Sequence, residues 1–141
     1  MENNNSTLFG SYIRLKREEK GLSIRKMASI LDISPIYLCS IELGKRKPPV
    51  NNNLLLIYRI ISVLSLSEEE SNYAVDLAYA SYGKISDEIT SYLFSNDSAM
   101  EFLKMASELN LSNDFWTNLS NFISTSKGPK VYMYKKHNEE K

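Results

Sequence analysis

Two helix-start signals, eleven residues apart, constrain the fold of this chain more than any other feature of its sequence. Ser23 can cap a helix because its hydroxyl satisfies a free N–H of the first turn, and Ser34 followed by Pro35 is a strong start for a second helix. Gly44 can then take the left-handed conformation that ends this second helix. The spacing predicts two short helices joined by a three-residue turn, which is the arrangement of a helix-turn-helix.

The second helix has an apolar inner side and is followed directly by three cations. Leu38 and Ile41 face inward by helical spacing. Lys45, Arg46 and Lys47 come after the helix, where they complement its C-terminus and can reach phosphates. A helix-turn-helix places its second helix in the major groove of DNA. We therefore predict an interface with double-stranded DNA that comprises Arg25, Ser34, Pro35, Ile36, Tyr37, Cys39, Ser40, Lys45, Arg46 and Lys47.

The outward side of this helix carries few of the long polar side chains that usually read base edges. Pro35, Ile36, Cys39 and Ser40 occupy the places where Gln, Asn or Arg commonly stand. Apolar contact with thymine methyl groups and contacts from hydroxyls are the modes that these residue types allow. The sequence predicts DNA binding in this way but does not predict the base sequence that is bound.

At this density of matching residues, the segment resembles the Xre/Cro/CI family of bacterial and phage helix-turn-helix regulators. The resemblance spans roughly residues 7–66. The matching positions are Phe9, Gly10, Ile13, Arg14, Met27, Ala28, Ser34, Pro35, Tyr37, Leu38, Pro48 and Pro49, together with the stretches 17–23 and 41–46.

The resemblance implies an N-terminal, five-helix domain of the lambda-repressor type, in which helix 3 reads DNA. It also implies a dimer on a two-fold operator. Arg17 and Glu42 match a structural ion pair of the family between helix 1 and helix 3, although a solvated surface pair is the simpler alternative. Many family members carry Gln directly after the first cap, where this chain has Ile24, so we expect Arg25 to provide that contact with the DNA backbone.

The charge of the chain is distributed unevenly along its length, although the formal net charge is zero. Residues 1–50 hold nine Lys or Arg against five Asp or Glu, whereas residues 67–126 hold two against ten. This asymmetry indicates one half that faces the DNA phosphates and one half turned away from them. An acidic helical surface also serves solubility alone, and for residues 67–126 both interpretations stay open.

The fold class that we predict is all-α, with five helices in residues 7–66 or slightly beyond, followed by three more. The predicted domains are a DNA-binding domain at 7–66, a helical dimerisation or partner-binding extension at 67–126, and a basic tail at 127–141. The helices of the extension are short and individually weak, so they need each other, helix 5 or a second subunit to bury their apolar faces. Its candidate interface residues are Tyr79, Tyr82, Leu93, Phe102, Phe115, Trp116 and Phe122.

The sequence offers almost no support for catalysis, and we expect no enzyme activity, no metal site and no cofactor. The single histidine, His137, lies in the tail, and no catalytic motif is present. Cys39 is the only cysteine, so no internal disulfide can form. The sequence contains no run of 18 apolar residues, so we predict no membrane span. The N-terminus lacks the pattern of a signal peptide. We therefore expect a cytoplasmic protein.

Two functions of different classes follow from these observations. The first is a DNA-binding transcriptional regulator, a repressor that acts as a homodimer. The second is a DNA-binding antitoxin or regulatory partner of another protein, which it binds through the C-terminal helices. A third interpretation, ligand sensing, needs a pocket, although tyrosines more often fill cores and interfaces. The candidate pocket residues are Tyr58, Tyr73, Tyr79, Tyr82 and Tyr92.

Overall fold

The computed structural model describes residues 5–126, with side chains from Thr7 onward, and this part of the chain forms eight α-helices and no strand. This confirms the all-α prediction. The predicted basic tail at 127–141 lies outside the described residues. No helix in 5–126 is long and apolar enough to cross a membrane. The helices are α1 Asn5–Glu19, α2 Ile24–Leu31, α3 Pro35–Glu42, α4 Leu55–Leu64, α5 Glu68–Ala80, α6 Asp87–Phe94, α7 Asp97–Glu108 and α8 Asn113–Thr125.

Helices α2 and α3 begin where serine side chains cap them. The N–H of Lys26 donates to Ser23 Oγ at 3.1 Å, and the N–H of Tyr37 donates to Ser34 Oγ at the same distance. Asp32 ends α2 in the left-handed conformation, with φ at 55°. Because each cap satisfies a donor that the helix itself cannot, these local bonds set where the helix-turn-helix begins and turns.

Helix α5 begins with a reciprocal capping box. The N–H of Glu70 donates to Ser67 Oγ at 3.2 Å, and the carboxylate of Glu70 accepts from the N–H of Ser67 at 2.9 Å. The second carboxylate oxygen of Glu70 contacts the ammonium of Lys16 on α1 at 2.8 Å. This hydrogen bond, with help from the cap, holds the pKa of Glu70 below its usual range. The attraction is therefore present at neutral pH and is lost only as the pH falls through that lowered value.

The chain divides into two compact units, of which the first ends at Asp87 and the second begins at Glu88. Helix α5 belongs to the first unit because Ala74, Leu77 and Tyr79 are buried in the same core as α1 to α4. The first compact unit thus runs past residue 66, and the functional domain boundary at that residue stays a prediction. The first unit is the five-helix body and needs α5 to close its core.

The core of the first unit is built from side chains that its five helices turn toward one another. Burying each large apolar side chain contributes roughly 1.5–3 kcal/mol. Those of α1 to α4 that are completely buried are Phe9, Ile13, Met27, Leu31, Leu38, Ile41, Ile57 and Ile60.

Helix α1 crosses the end of α3 with backbone against backbone, and Gly10 makes this crossing possible. A Cβ on Gly10 would overlap the carbonyl oxygen of Ile41 and would lie 2.7 Å from that of Glu42. Neither oxygen can move aside without moving α3, because both belong to its backbone. Gly44, left-handed with φ at 68°, is a second close approach, with Thr7 Cγ2 2.6 Å from where its Cβ would stand.

The second unit, described through residue 126, is built differently. Among its described residues Ala106 alone is buried. Trp116 of α8 meets the rings of Phe102 and Phe115 edge to face, with centroids 6.0 and 5.5 Å away. Leu109 and Phe122 are 71% and 68% exposed. Helices α7 and α8 thus share one small aromatic cluster, and the described helices of the unit leave much apolar surface open to solvent.

We expect Gly10→Ala to destabilise the first unit even though alanine is the better helix former by about 1 kcal/mol. The added methyl has to displace the end of α3, and overpacking of this kind costs roughly 1–3 kcal/mol or more. Thermal unfolding followed by circular dichroism measures the effect. Ser11→Ala, at the exposed neighbouring position of α1, is the control and should leave the melting temperature nearly unchanged. A Gly10→Ala variant at least as stable as the parent would show that this close crossing is absent.

Candidate nucleic-acid interface

Helix α3 is the second helix of the helix-turn-helix and has one buried and one exposed side. Leu38 and Ile41 are fully buried against the other helices of the first unit, whereas Ile36 is 82% exposed. Pro35 is exposed beside it, and Cys39 and Ser40 are half-buried. The predicted outward residues of this helix therefore share one accessible face.

Arg17 and Glu42 hold α3 against α1 through a bidentate ion pair. Arg17 Nε donates to Glu42 Oε1 at 2.7 Å, and Nη2 donates to Oε2 at 2.8 Å. Arg17 Nη1 donates to the carbonyl oxygen of Leu22 at 2.8 Å. Arg17 and Glu42 are only 8% and 4% exposed, and the bonds to Glu42 raise the pKa of Arg17. The arrangement is a buried structural clamp rather than a solvated surface pair.

A basic loop, residues 45–49, follows α3 and carries the three cations into solvent. Lys45, Arg46 and Lys47 are all exposed. The guanidinium of Arg46 lies 5.7 Å from the ring centroid of Tyr37, a cation–π distance that links the loop to α3. The backbone N–H of Arg46 also donates to the carbonyl oxygen of Ser40 at 3.0 Å. The charged loop is thus fixed directly beside the exposed face of α3.

Tyr82 supports the same basic loop from the end of α5. Its hydroxyl donates to the carbonyl oxygen of Pro48 at 2.9 Å, and Lys47 Nζ lies 5.0 Å from its ring centroid. The dimer or partner interface predicted for Tyr82 stays a prediction, since the side chain contacts this loop and is still 38% exposed. The sequence carries no local signal for this contact, because 34 residues separate Tyr82 from Pro48.

An open, shallow depression runs along the outward side of α3 and into the basic loop. Its lining residues are Pro35, Ile36, Cys39, Ser40, Leu43 and Lys45. The hydroxyl of Ser40 donates to the carbonyl oxygen of Tyr37 at 2.7 Å, so its proton is used within the helix. Ser34 Oγ accepts the capping hydrogen bond from the backbone N–H of Tyr37. The floor is largely apolar and its edge is cationic.

Arg25 lies on α2 and is exposed, as is its neighbour Lys26. The first residue of that helix, Ile24, packs against the core of the first unit. The side chains of Arg25 and Lys26 are therefore the ones that the first turn of α2 offers to a phosphate backbone.

The predicted C-terminal interface residues do not form one group. Tyr79 is buried in the core of the first unit, and its hydroxyl donates to Asp87 Oδ2 at 2.8 Å, which raises the pKa of the phenol. It is therefore a core residue and cannot contact a partner without unfolding. The remaining members besides Tyr82 lie in the second unit, and they are Leu93, Phe102, Phe115, Trp116 and Phe122.

The tyrosines considered as pocket residues occupy different environments. Tyr73 packs edge to face on Tyr12, with ring centroids 5.0 Å apart, while Tyr79 is in the core and Tyr82 is on the basic loop. Burial raises the pKa of Tyr12 to about 12. These contacts describe packing rather than a shared ligand cavity. Among the described residues, no group of three His, Cys, Asp or Glu side chains is placed to hold a metal ion.

Comparisons with known proteins yield one structural similarity. No protein-family model matches the chain, and no curated protein sequence matches it. The chain is similar to the crystal structure of the clp gene regulator ClgR from C. glutamicum, with 24% identity and a TM-score of 0.44. The similarity covers 57% of this chain and 95% of that one. At this level of similarity, the function has to be inferred from the residues of the chain itself.

Removing one partner of the buried clamp should weaken the whole first unit. Glu42→Ala leaves the guanidinium of Arg17 without its carboxylate, which costs on the order of 3 kcal/mol for a buried pair. Urea unfolding followed by circular dichroism measures this loss. Glu19→Ala is the control, because Glu19 pairs with Lys16 at 3.0 Å and its own side chain is about half exposed, and such surface pairs contribute little. Equal unfolding midpoints for the two variants would contradict a buried clamp.

Proposed function

We propose that this chain is a cytoplasmic, DNA-binding transcriptional regulator of the helix-turn-helix type, a repressor that binds a two-fold operator as a dimer. The observation that carries the proposal is the exposed face of α3 with the basic loop fixed along its edge. This is the role that the resemblance to the Xre/Cro/CI family implies for the same residues. Helix α3 enters the major groove in this proposal, and Arg25, Lys45, Arg46 and Lys47 bind phosphates.

The rigidity of the first unit supports the proposal. A helix that reads a groove has to be held at a defined angle by the rest of the domain, because base contacts need a defined register on the duplex. The Arg17–Glu42 clamp and the crossing at Gly10 both act on the C-terminal end of α3. Exposed charge is thereby presented from a fixed scaffold and not from a free tail.

Replacing Lys45 and Arg46 together with Ala should weaken DNA binding for all sequences and reduce its dependence on salt. A dimer that neutralises roughly six to eight phosphates gives a log–log slope of about −5 to −7. Fluorescence anisotropy with a labelled duplex at several salt concentrations measures the slope. Lys104→Ala, in the second unit, is the control and should keep both affinity and slope. A double variant with an unchanged slope would remove these two side chains from the phosphate contacts.

The second unit is the dimerisation element in this proposal. The second unit begins at Glu88 and is small, and small units bury a lower fraction of their surface on folding and are only marginally stable alone. Its described helices bury Ala106 only, and they expose Phe94, Leu109 and Phe122. A second copy offers the same apolar faces and gives the two-fold symmetry that a palindromic operator requires.

We expect the full chain to be a dimer at micromolar concentration and the variant Leu109→Ser with Phe122→Ser to dissociate. Each lost apolar side chain removes roughly 1.5–3 kcal/mol of burial, so the dissociation constant should rise by at least about tenfold. Sedimentation velocity measures the oligomeric state. Asn118→Ser, an exposed polar position on α8, is the control. A monomeric parent chain, or a serine double variant that still dimerises as tightly, would contradict this role of the second unit.

The alternative function is a DNA-binding antitoxin or regulatory partner of another protein. The acidic character of the described helices of the second unit favours it, because residues 88–126 hold five Asp or Glu against one Lys. Like charges on two copies repel each other, whereas a basic protein partner would be attracted to the same surface. A parent chain that is monomeric by sedimentation and that leaves its native host in a complex with a basic protein would favour this second function.

A further inference from the structure

The apolar stripe on the exposed side of α3 has no explanation within the first unit. Ile36 is 82% exposed, the highest value among the large hydrophobic side chains of the described residues. Cys39, Ser40 and Leu43 follow it at intervals of three, four and seven residues, so the four side chains share one side of the helix. Leu43 is itself 45% exposed. This side of α3 and its C-cap thus presents Ile36 and Leu43 to solvent, with the half-buried Cys39 and Ser40 between them.

The same side of α3 has little capacity to form hydrogen bonds. Helix Pro35–Glu42 contains no Arg, Lys, Asn or Gln, and its one long polar side chain, Glu42, is consumed by Arg17. The proton of Ser40 is used within the helix. Bidentate hydrogen bonds with guanine or adenine need Arg, Lys, Asn or Gln, and α3 contains none of these residues.

The surroundings of the stripe indicate what kind of molecule covers it. Lys45 lines the same depression, and the exposed Arg46 and Lys47 follow it in the basic loop. A polyanionic ligand would neutralise these cations. The same ligand must also present an apolar group at the point where it contacts Ile36. In the major groove of DNA, the apolar group that a base pair displays is the C5-methyl of thymine.

We propose, on the basis of the proposed function, that α3 selects its operator through thymine methyl groups, with Ile36 as the principal specificity residue. Cys39 and Leu43 complete the apolar surface on either side of the methyl. Phosphate contacts from the basic loop then provide affinity without sequence information, and methyl contacts provide the selection. The favoured half-site carries thymine where Ile36 meets the groove.

The experiment selects duplexes that the full chain binds from a pool of randomised double-stranded DNA, and then replaces individual thymines by uracil. This change removes only the methyl group and keeps the base pair. We expect thymine to be enriched at one or more positions of the half-site, and uracil there to weaken binding about fourfold per methyl. Ile36→Ala should remove the difference between thymine and uracil. Ile30→Ala, an exposed isoleucine of α2 at 47%, is the matched control and should retain the difference.

The outcomes separate this inference from the function on which it depends. Selection that enriches no sequence and recovers no bound duplex would overturn the proposed function. An enriched site at which uracil binds as tightly as thymine would overturn the role of the methyl group and leave DNA binding intact. An Ile36→Ala variant that keeps the full thymine preference, with an unchanged melting temperature, would overturn the role of Ile36.

Discussion

The contact between α1 and the end of α3 is the constraint on which the rest of this structure depends. Two different interactions meet there, the steric fit at Gly10 and the bidentate Arg17–Glu42 clamp. The first allows the two backbones to touch, and the second neutralises both charges in a site where an unpaired charge would be costly. Because both act on the last turn of α3, the exposed side of that helix and the basic loop after it are held in one place.

The two units differ in how completely they bury their apolar surface, and this difference suggests a division of labour. The first unit closes its core over five helices and keeps its charges in fixed positions. The second unit leaves much of its apolar surface exposed, including Leu109 and Phe122. A closed unit suits the recognition of a rigid duplex, whereas an open one suits association with another chain. The formal net charge of zero is consistent with DNA binding in this scheme, since the cations and the acidic groups lie in different parts of the chain.

The candidate interface combines two kinds of contact that have different consequences for binding. Exposed cations beside α3 favour any polyanion and depend on salt. The apolar stripe that begins at Ile36 favours one chemical group and depends little on salt. A DNA-binding helix without long polar side chains can therefore still discriminate between sequences, through shape and methyl groups rather than through hydrogen bonds. Tyr37 and Tyr82 matter here as supports, because their rings lie 5.7 and 5.0 Å from the charged groups of Arg46 and Lys47 in the basic loop.

The sequence by itself determined the elements that depend on short-range contacts. The helix starts at Ser23 and Ser34 follow from capping bonds that join residues three positions apart. The all-α character of the described residues follows from similar local signals, the helix caps and the helical spacing of apolar residues. The outward position of Ile36 follows from helical periodicity. Tertiary structure alone decided that α5 completes the first core, that Tyr79 is buried in it, and that Tyr82 holds the basic loop. These outcomes depend on contacts between residues distant in sequence, and an apolar or aromatic residue has the same local pattern whether its partner is the core, a loop or another chain.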